Sequence, residues 1–167
     1  SSTIVVSYGG QITVKKNTAK YGGGIFLESE GTNLDISGTG TQLVVEDNTA
    51  QDNGGGLFAA DMSTIIVSSG GQITVAKNTA QNNGGGVYLQ SEGTRLDVID
   101  PQSRLFVNDN IAKENGGGIA IAAGAVVRAT SPSTFHGNTA AKGSGGGLAY
   151  DDRNGIADGG ATCTRLE

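Results

Sequence analysis

Residues 2–19 read STIVVSYGGQITVKKNTA, and residues 63–80 read STIIVSSGGQITVAKNTA, the same stretch displaced by 61 residues. Around these two copies a shorter unit recurs. GGG starts at Gly22, Gly54, Gly84, Gly116 and Gly145, and N-T-A or N-I-A starts at Asn17, Asn48, Asn78, Asn110 and Asn138. The Asn intervals are 31, 30, 32 and 28 residues. A period in this range marks a solenoid, whose units bury their apolar faces against their neighbours. The 61-residue echo makes the coils alternate between two types.

Within each unit three short runs alternate apolar and polar residues, which is the strand signal. The first follows GGG: IFLE, LFAA, VYLQ, IAIA and LAYD. The second reads TNLDIS, STIIVS, TRLDVI and AVVRAT, and the third QLVVEDN, QITVAKN, RLFVNDN and STFHGN. Such runs are too short to stand alone. The sequence therefore predicts an all-β fold, a right-handed single-stranded parallel β-helix of five coils with three strands each. At ~4.8 Å per coil the rod is on the order of 24 Å long. Residues 1–150 form the repeats, and residues 151–167 an irregular tail or partial coil.

Alternation assigns the inward columns. The first run contributes Ile25, Leu57, Val87, Ile119, Leu148 and then Leu27, Ala59, Leu89, Ile121, Tyr150. The second contributes Ile4, Leu34, Ile65, Leu96 and Val127. The third contributes Ile12, Leu43, Ile73, Leu105 and then Val14, Val45, Val75, Val107, Phe135. A one-residue slip would turn every one of these into water.

The repeated residues read as makers of the fold. GGG permits sharp corners and close backbone approach, and it lacks the Lys-Ser/Thr of a phosphate loop. The column Asn17, Asn48, Asn78, Asn110, Asn138 is expected to stack its amides along the axis. The residue before each Asn alternates in sign, Lys16, Asp47, Lys77, Asp109 and then Gly137, which predicts a surface ladder of ion pairs that fixes register. Gln11, Gln42, Gln72 and Arg104 form a second polar column.

The chain has 167 residues, 29 of them Gly, a net charge of -5 and a pI of about 4.8. That acidity argues against nucleic acid or an anionic membrane as partner. No apolar run approaches the roughly 18 residues of a membrane helix. Ser1 opens directly onto a strand pattern, so a segment of a longer protein is expected, and Leu166-Glu167 reads as a vector scar. The lone Cys163 has no disulfide partner within the chain.

VKKN, VEDN, VAKN, VNDN and FHGN, each paired with GGGI, GGGL or GGGV, resemble the FxxN and GGA[ILV] motifs of chlamydial polymorphic outer membrane protein (Pmp) repeats. The resemblance covers residues 11–150, with GGG in place of GGA and mostly Val in place of Phe. It implies a surface-exposed β-helical passenger, often adhesive.

Chemistry is sparse. His136 stands without a nucleophile at a defined spacing and reads as an outward residue of the third run. No Cys/His cluster or calcium-loop spacing points to a metal, and no cofactor is implied. Some parallel β-helices cleave polysaccharides. The candidates for such a site are Asp35, Asp97 and Arg128, but the two carboxylates lie two coils apart, roughly 9–10 Å. Thr rows on β-helices can bind ice, yet the row Thr13, Thr74, Thr134 is broken by Val44 and Phe106, and Thr18, Thr49, Thr79, Thr139 by Ile111. The most suggestive outward feature is Phe26, Phe58 and Tyr88, on consecutive coils. It reads either as a stack that ties coils together or as a contact strip for a sugar or a protein.

The expectation is thus a non-catalytic extracellular or cell-surface repeat segment of a larger protein, adhesive or a rigid display rod. A polysaccharide lyase or hydrolase is the first alternative and an ice-binding protein the second. Expected partners are a glycan or surface protein and further β-helix coils of the parent chain.

Overall fold

The computed structural model describes residues 2–151. The stretch 152–167, with Cys163 and most of the predicted tail, lies outside the described residues. The described chain winds through five coils, and each coil adds one strand to every one of four parallel sheets. Sheet 1 stacks Thr3–Ser7, Asn33–Ser37, Thr64–Ser68, Arg95–Val98 and Val126–Ala129. Sheet 2 stacks Gln11–Lys15, Gln42–Glu46, Gln72–Ala76, Arg104–Asn108 and Ser133–His136. Sheet 4 stacks Ile25–Leu27, Leu57–Ala59, Val87–Gln90, Ile119–Ala122 and Leu148–Asp151.

Sheet 3 is the departure from the three-strand expectation. Its members are two residues long: Thr18–Ala19, Thr49–Ala50, Thr79–Ala80, Ile111–Ala112 and Thr139–Ala140. N-T-A is too short to show alternation, so it reads as a turn. In the fold its Ala side chains pack inward, and Ala50, Ala80 and Ala112 are fully buried.

Register follows the predicted columns: Ile4 pairs with Leu34, Leu43 with Ile73, and Val87 with Ile119. The core is one continuous stack that includes Leu34, Leu57, Ile65, Ile73, Leu89 and Leu105. Sheet 1 carries a second inward column that the sequence reading passed over, Val6, Ile36, Val67 and Val98, all buried. The predicted inward residues at the ends are the exception. Ile4, Ile12 and Tyr150 are 49%, 41% and 41% exposed, because an end coil has a neighbour on one side only.

The GGG corner divides its work among its three residues, as the second coil shows. Gly54 takes φ +68°, a left-handed value that favours glycine. A Cβ on Gly55 would collide with the carbonyl of Gly85 in the next coil. A Cβ on Gly56 would sit 2.8 Å from Nδ2 of Asn78. Glycine therefore fits the corner for backbone conformation once and for close approach twice.

Candidate functional site

The Asn column is an internal ladder. Asn48, Asn78 and Asn110 are buried, and each Asn reaches toward the next coil. Nδ2 of Asn48 donates to Oδ1 of Asn78 and to the Val14 carbonyl, both at 3.0 Å. Oδ1 of Asn78 also accepts from the Asn48 backbone N–H. The same pattern recurs from Asn17 to Asn48, from Asn78 to Asn110 and from Asn110 to Asn138. These side chains satisfy one another and offer nothing to a ligand.

A second ladder went unread in the sequence. Asn53, Asn83 and Asn115 precede GGG in the three middle coils, and their amides bond in the opposite sense. Nδ2 of Asn83 donates to Oδ1 of Asn53 at 3.1 Å, and Nδ2 of Asn115 to Oδ1 of Asn83 at 3.0 Å. The N-G-G-G repeat could have revealed it, but Tyr21 and Ser144 break the column at either end.

The ladder of ion pairs is not formed. Among the described residues the one ion pair within 4.0 Å joins Arg95 Nε to Asp97 Oδ2, at 3.3 Å. Lys16, Asp47, Lys77 and Asp109 are exposed and share a positive φ of 57°, 55°, 55° and 53°. They are corner residues whose backbone turns left-handed between sheets 2 and 3. The position selects tolerance of that conformation, and the fifth coil meets it with Gly137 at φ 64°. The carboxylate of Asp109 fills the space that a side chain on Gly137 would need.

The three aromatic rings stack, but they form no open strip. Phe26 lies 5.1 Å from Phe58, and Phe58 lies 5.5 Å from Tyr88, with interplanar angles of 16° and 26°. Phe58 and Tyr88 are only 6% and 9% exposed, whereas Phe26 is 46% exposed. They pack with Ala60, Ala120 and Tyr21 into a small second core outside sheet 4. Tyr21 adds a tilted contact to Phe58 at 5.5 Å and carries the Lys20 ammonium 5.1 Å above its ring. A flat ligand would meet Phe26 alone.

On sheet 1 the outward column pairs Asp35 with Ile66, Ile66 with Asp97, and Asp97 with Arg128. Asp97 is bound to Arg95, and Ile66 separates it from Asp35. One oxygen of each carboxylate, Asp35 Oδ1 and Asp97 Oδ1, is shielded and accepts no hydrogen bond from the protein. Sheet 2 carries Gln11, Gln42, Gln72 and Arg104 in register, beside the interrupted row of Thr13, Val44, Thr74, Phe106 and Thr134. His136 is exposed at the edge of that face. Among the described residues no group of three or more His, Cys, Asp and Glu is placed to hold a metal ion, and no helix is long and apolar enough to cross a membrane.

Asp100 has the most heavily bonded carboxylate. It accepts from the Ser103 hydroxyl and from the Gln102 and Ser103 N–H groups at 3.0 Å each, and from Ser69 N–H in the preceding coil. Desolvation pulls its pKa up, and these hydrogen bonds together outweigh it and hold the carboxyl below its ordinary value. Its task is to tie two turns together.

Five stacked coils, four parallel sheets and a single axial core are on the page, and a family model described as right-handed beta helix region matches residues 1–159. The chain belongs to this family. Neither the curated proteins nor the solved structures compared with it give a significant match. Within this right-handed β-helix, both amide ladders and the glycine corners serve the coil itself. Any site for a partner therefore has to be sought in the outward columns, which differ from coil to coil.

Proposed function

We propose that this β-helix is a non-catalytic, extracellular or cell-surface structural segment, a rigid rod that displays its outward columns for adhesion. The observation that carries the reading is the use of the repeated residues. The Asn present in every coil bonds to its own copies, and the GGG present in every coil packs against neighbouring backbone. What evolves freely is the outer surface, as suits a scaffold that presents contacts. The likeness of the V-x-x-N and GGG motifs to Pmp repeats supports a surface setting and a glycan or surface protein as partner. A glycan array probed with the full-length protein, together with adherence of protein-coated beads to cells, tests it. Selective retention on either supports adhesion, and retention on neither overturns it.

One observation favours a second reading, cleavage of an acidic polysaccharide. Asp97 lies between Arg95 and Arg128, with Asp35 on the same face. Release of unsaturated or reducing uronates from pectin or alginate, abolished by Asp97→Asn, would replace the scaffold reading with an enzyme.

A further inference from the structure

The two ends of the rod differ in hydrogen-bonding sense. Along the first Asn ladder each side chain donates to Oδ1 of the following coil. At the first coil, Oδ1 of Asn17 therefore accepts from no described residue. At the fifth, Nδ2 of Asn138 donates to the Val107 carbonyl at 2.7 Å, and its N–H finds no acceptor among the described residues. One end presents an acceptor and the other presents donors on the same column.

The apolar columns are left open at the same two faces. Coil 3 is a near copy of coil 1, yet Ile65 and Ile73 are 0% and 1% exposed where Ile4 and Ile12 are 49% and 41%. The difference is coil 2, which lies over coil 3. The fifth coil offers the complementary surface: Tyr150 is 41% exposed, and Val127, Phe135 and Leu148 are half-buried. Continued in register, coil 5 sets Asn138 before Asn17, Val127 over Ile4, Phe135 over Val14 and Leu148 over Ile25. Gly137 then faces Lys16, so no like charges meet in that column. The 16 residues after Asp151 are about half the 28–32 of a coil, too few to supply four more strands.

We infer that the coil-1 face docks the coil-5 face of a second copy of this chain, head to tail, with all four sheets continuing across the joint. The contact is heterologous and the rod is straight, so it propagates into an open fibre. Each added chain lengthens it by about 24 Å. The inference is independent of any ligand on the outward columns.

Sedimentation velocity on the 167-residue chain, from micromolar to millimolar, tests it. The expected result is a concentration-dependent series that runs beyond dimer. Ile4→Lys/Ile12→Lys blocks the head and Tyr150→Lys the tail. Each variant weakens association by at least about tenfold, because it carries unpaired charge into the joint. Mixed together, the two variants form a dimer that grows no further, since one free head meets one free tail. Circular dichroism checks that they fold, and Asn17→Ala, at an exposed position, repeats the head test if the lysine pair does not. A wild-type chain that stays monomeric, closes at a dimer, or polymerises equally well with both ends blocked overturns the inference.

Discussion

Asn78 is the middle rung of the ladder, and all of its side-chain polar atoms are engaged. Oδ1 accepts from Asn48 N and Nδ2, and Nδ2 donates to the Val45 carbonyl and to Asn110 Oδ1. Asn78→Ala strands these partners in the dry interior, at ~1–3 kcal/mol for each buried group left unpaired. The expected net loss is about 2–4 kcal/mol, seen as a lower urea midpoint, because stranded partners share the relaxation. Asn17→Ala removes the exposed end rung and is expected to cost no more than about 1 kcal/mol. Equal losses at the two positions would refute the ladder as a buried network. At Lys77 the left-handed corner, not charge, decides the outcome. Lys77→Gly relieves a cost on the order of 1 kcal/mol and holds or raises the midpoint. Lys77→Val lowers it, because a β-branched residue resists positive φ. Neither change alters the salt dependence of stability, whereas a ladder of ion pairs would make Lys77→Gly destabilising at low salt only. The alternation of Lys and Asp in this column resembled complementary charge because both residue types tolerate the corner. Gly137, the one member without charge, carried the conformational clue in the sequence.

Turns between strands are where neighbouring coils need extra ties, because strand pairing stops there. Hydroxyls supply several: Thr41 Oγ1 accepts from Gly9 N–H at 3.0 Å, and Thr94 Oγ1 from Met62 N–H at 3.1 Å. Between the third and fourth coils Asp100 does this with a charge, gathering its own turn and Ser69 of the coil before. Its folded-state pKa is lowered, so the unfolded chain binds the proton more readily. The stability it contributes is then fully present above the ordinary aspartate value of 3.8 and is lost as pH falls through the lower folded value. Asp100→Asn lacks this dependence. The difference in urea midpoint between wild type and variant should be constant near neutrality and shrink toward zero in that acidic window. A difference that grows on acidification would show the sign to be wrong. The aromatic stack is a tie of the same kind on sheet 4, joining the first three coils through rings that are mostly covered. Spacing alone placed those rings on one column. Their burial depended on Tyr21, a residue that interrupts the second Asn column and so stood outside any repeat.

At the scale of the molecule, the coil count, the parallel stacking and the inward columns were legible because they are periodic, and periodicity survives in sequence without any knowledge of the third dimension. Sheet 3 was not, since two residues hold no period. The second Asn ladder was partly legible, as N-G-G-G in three coils, and the openness of the aromatic column was not, because exposure depends on neighbours from other coils. Columns that vary give no period, which is why the candidate contacts stayed harder to read than the fold. The same architecture governs how the rod comes apart. Each coil touches only the coils beside it, so stability is close to a sum of coil terms and nearest-neighbour joints. A middle coil has two joints and an end coil one, and local opening should follow that count. Hydrogen exchange on the native protein is expected to show amides of Gln42–Glu46, Gln72–Ala76 and Arg104–Asn108 exchanging slowest, and those of Thr3–Ser7 and Gln11–Lys15 fastest. Asn78→Ala weakens the two joints of coil 3, and should lower protection most in the coils on either side while the aromatic tie still holds coil 1 to coil 2. Uniform loss of protection along all five coils would instead mean that the rod opens as a single cooperative unit, and that the joints are too strong to be separated one at a time.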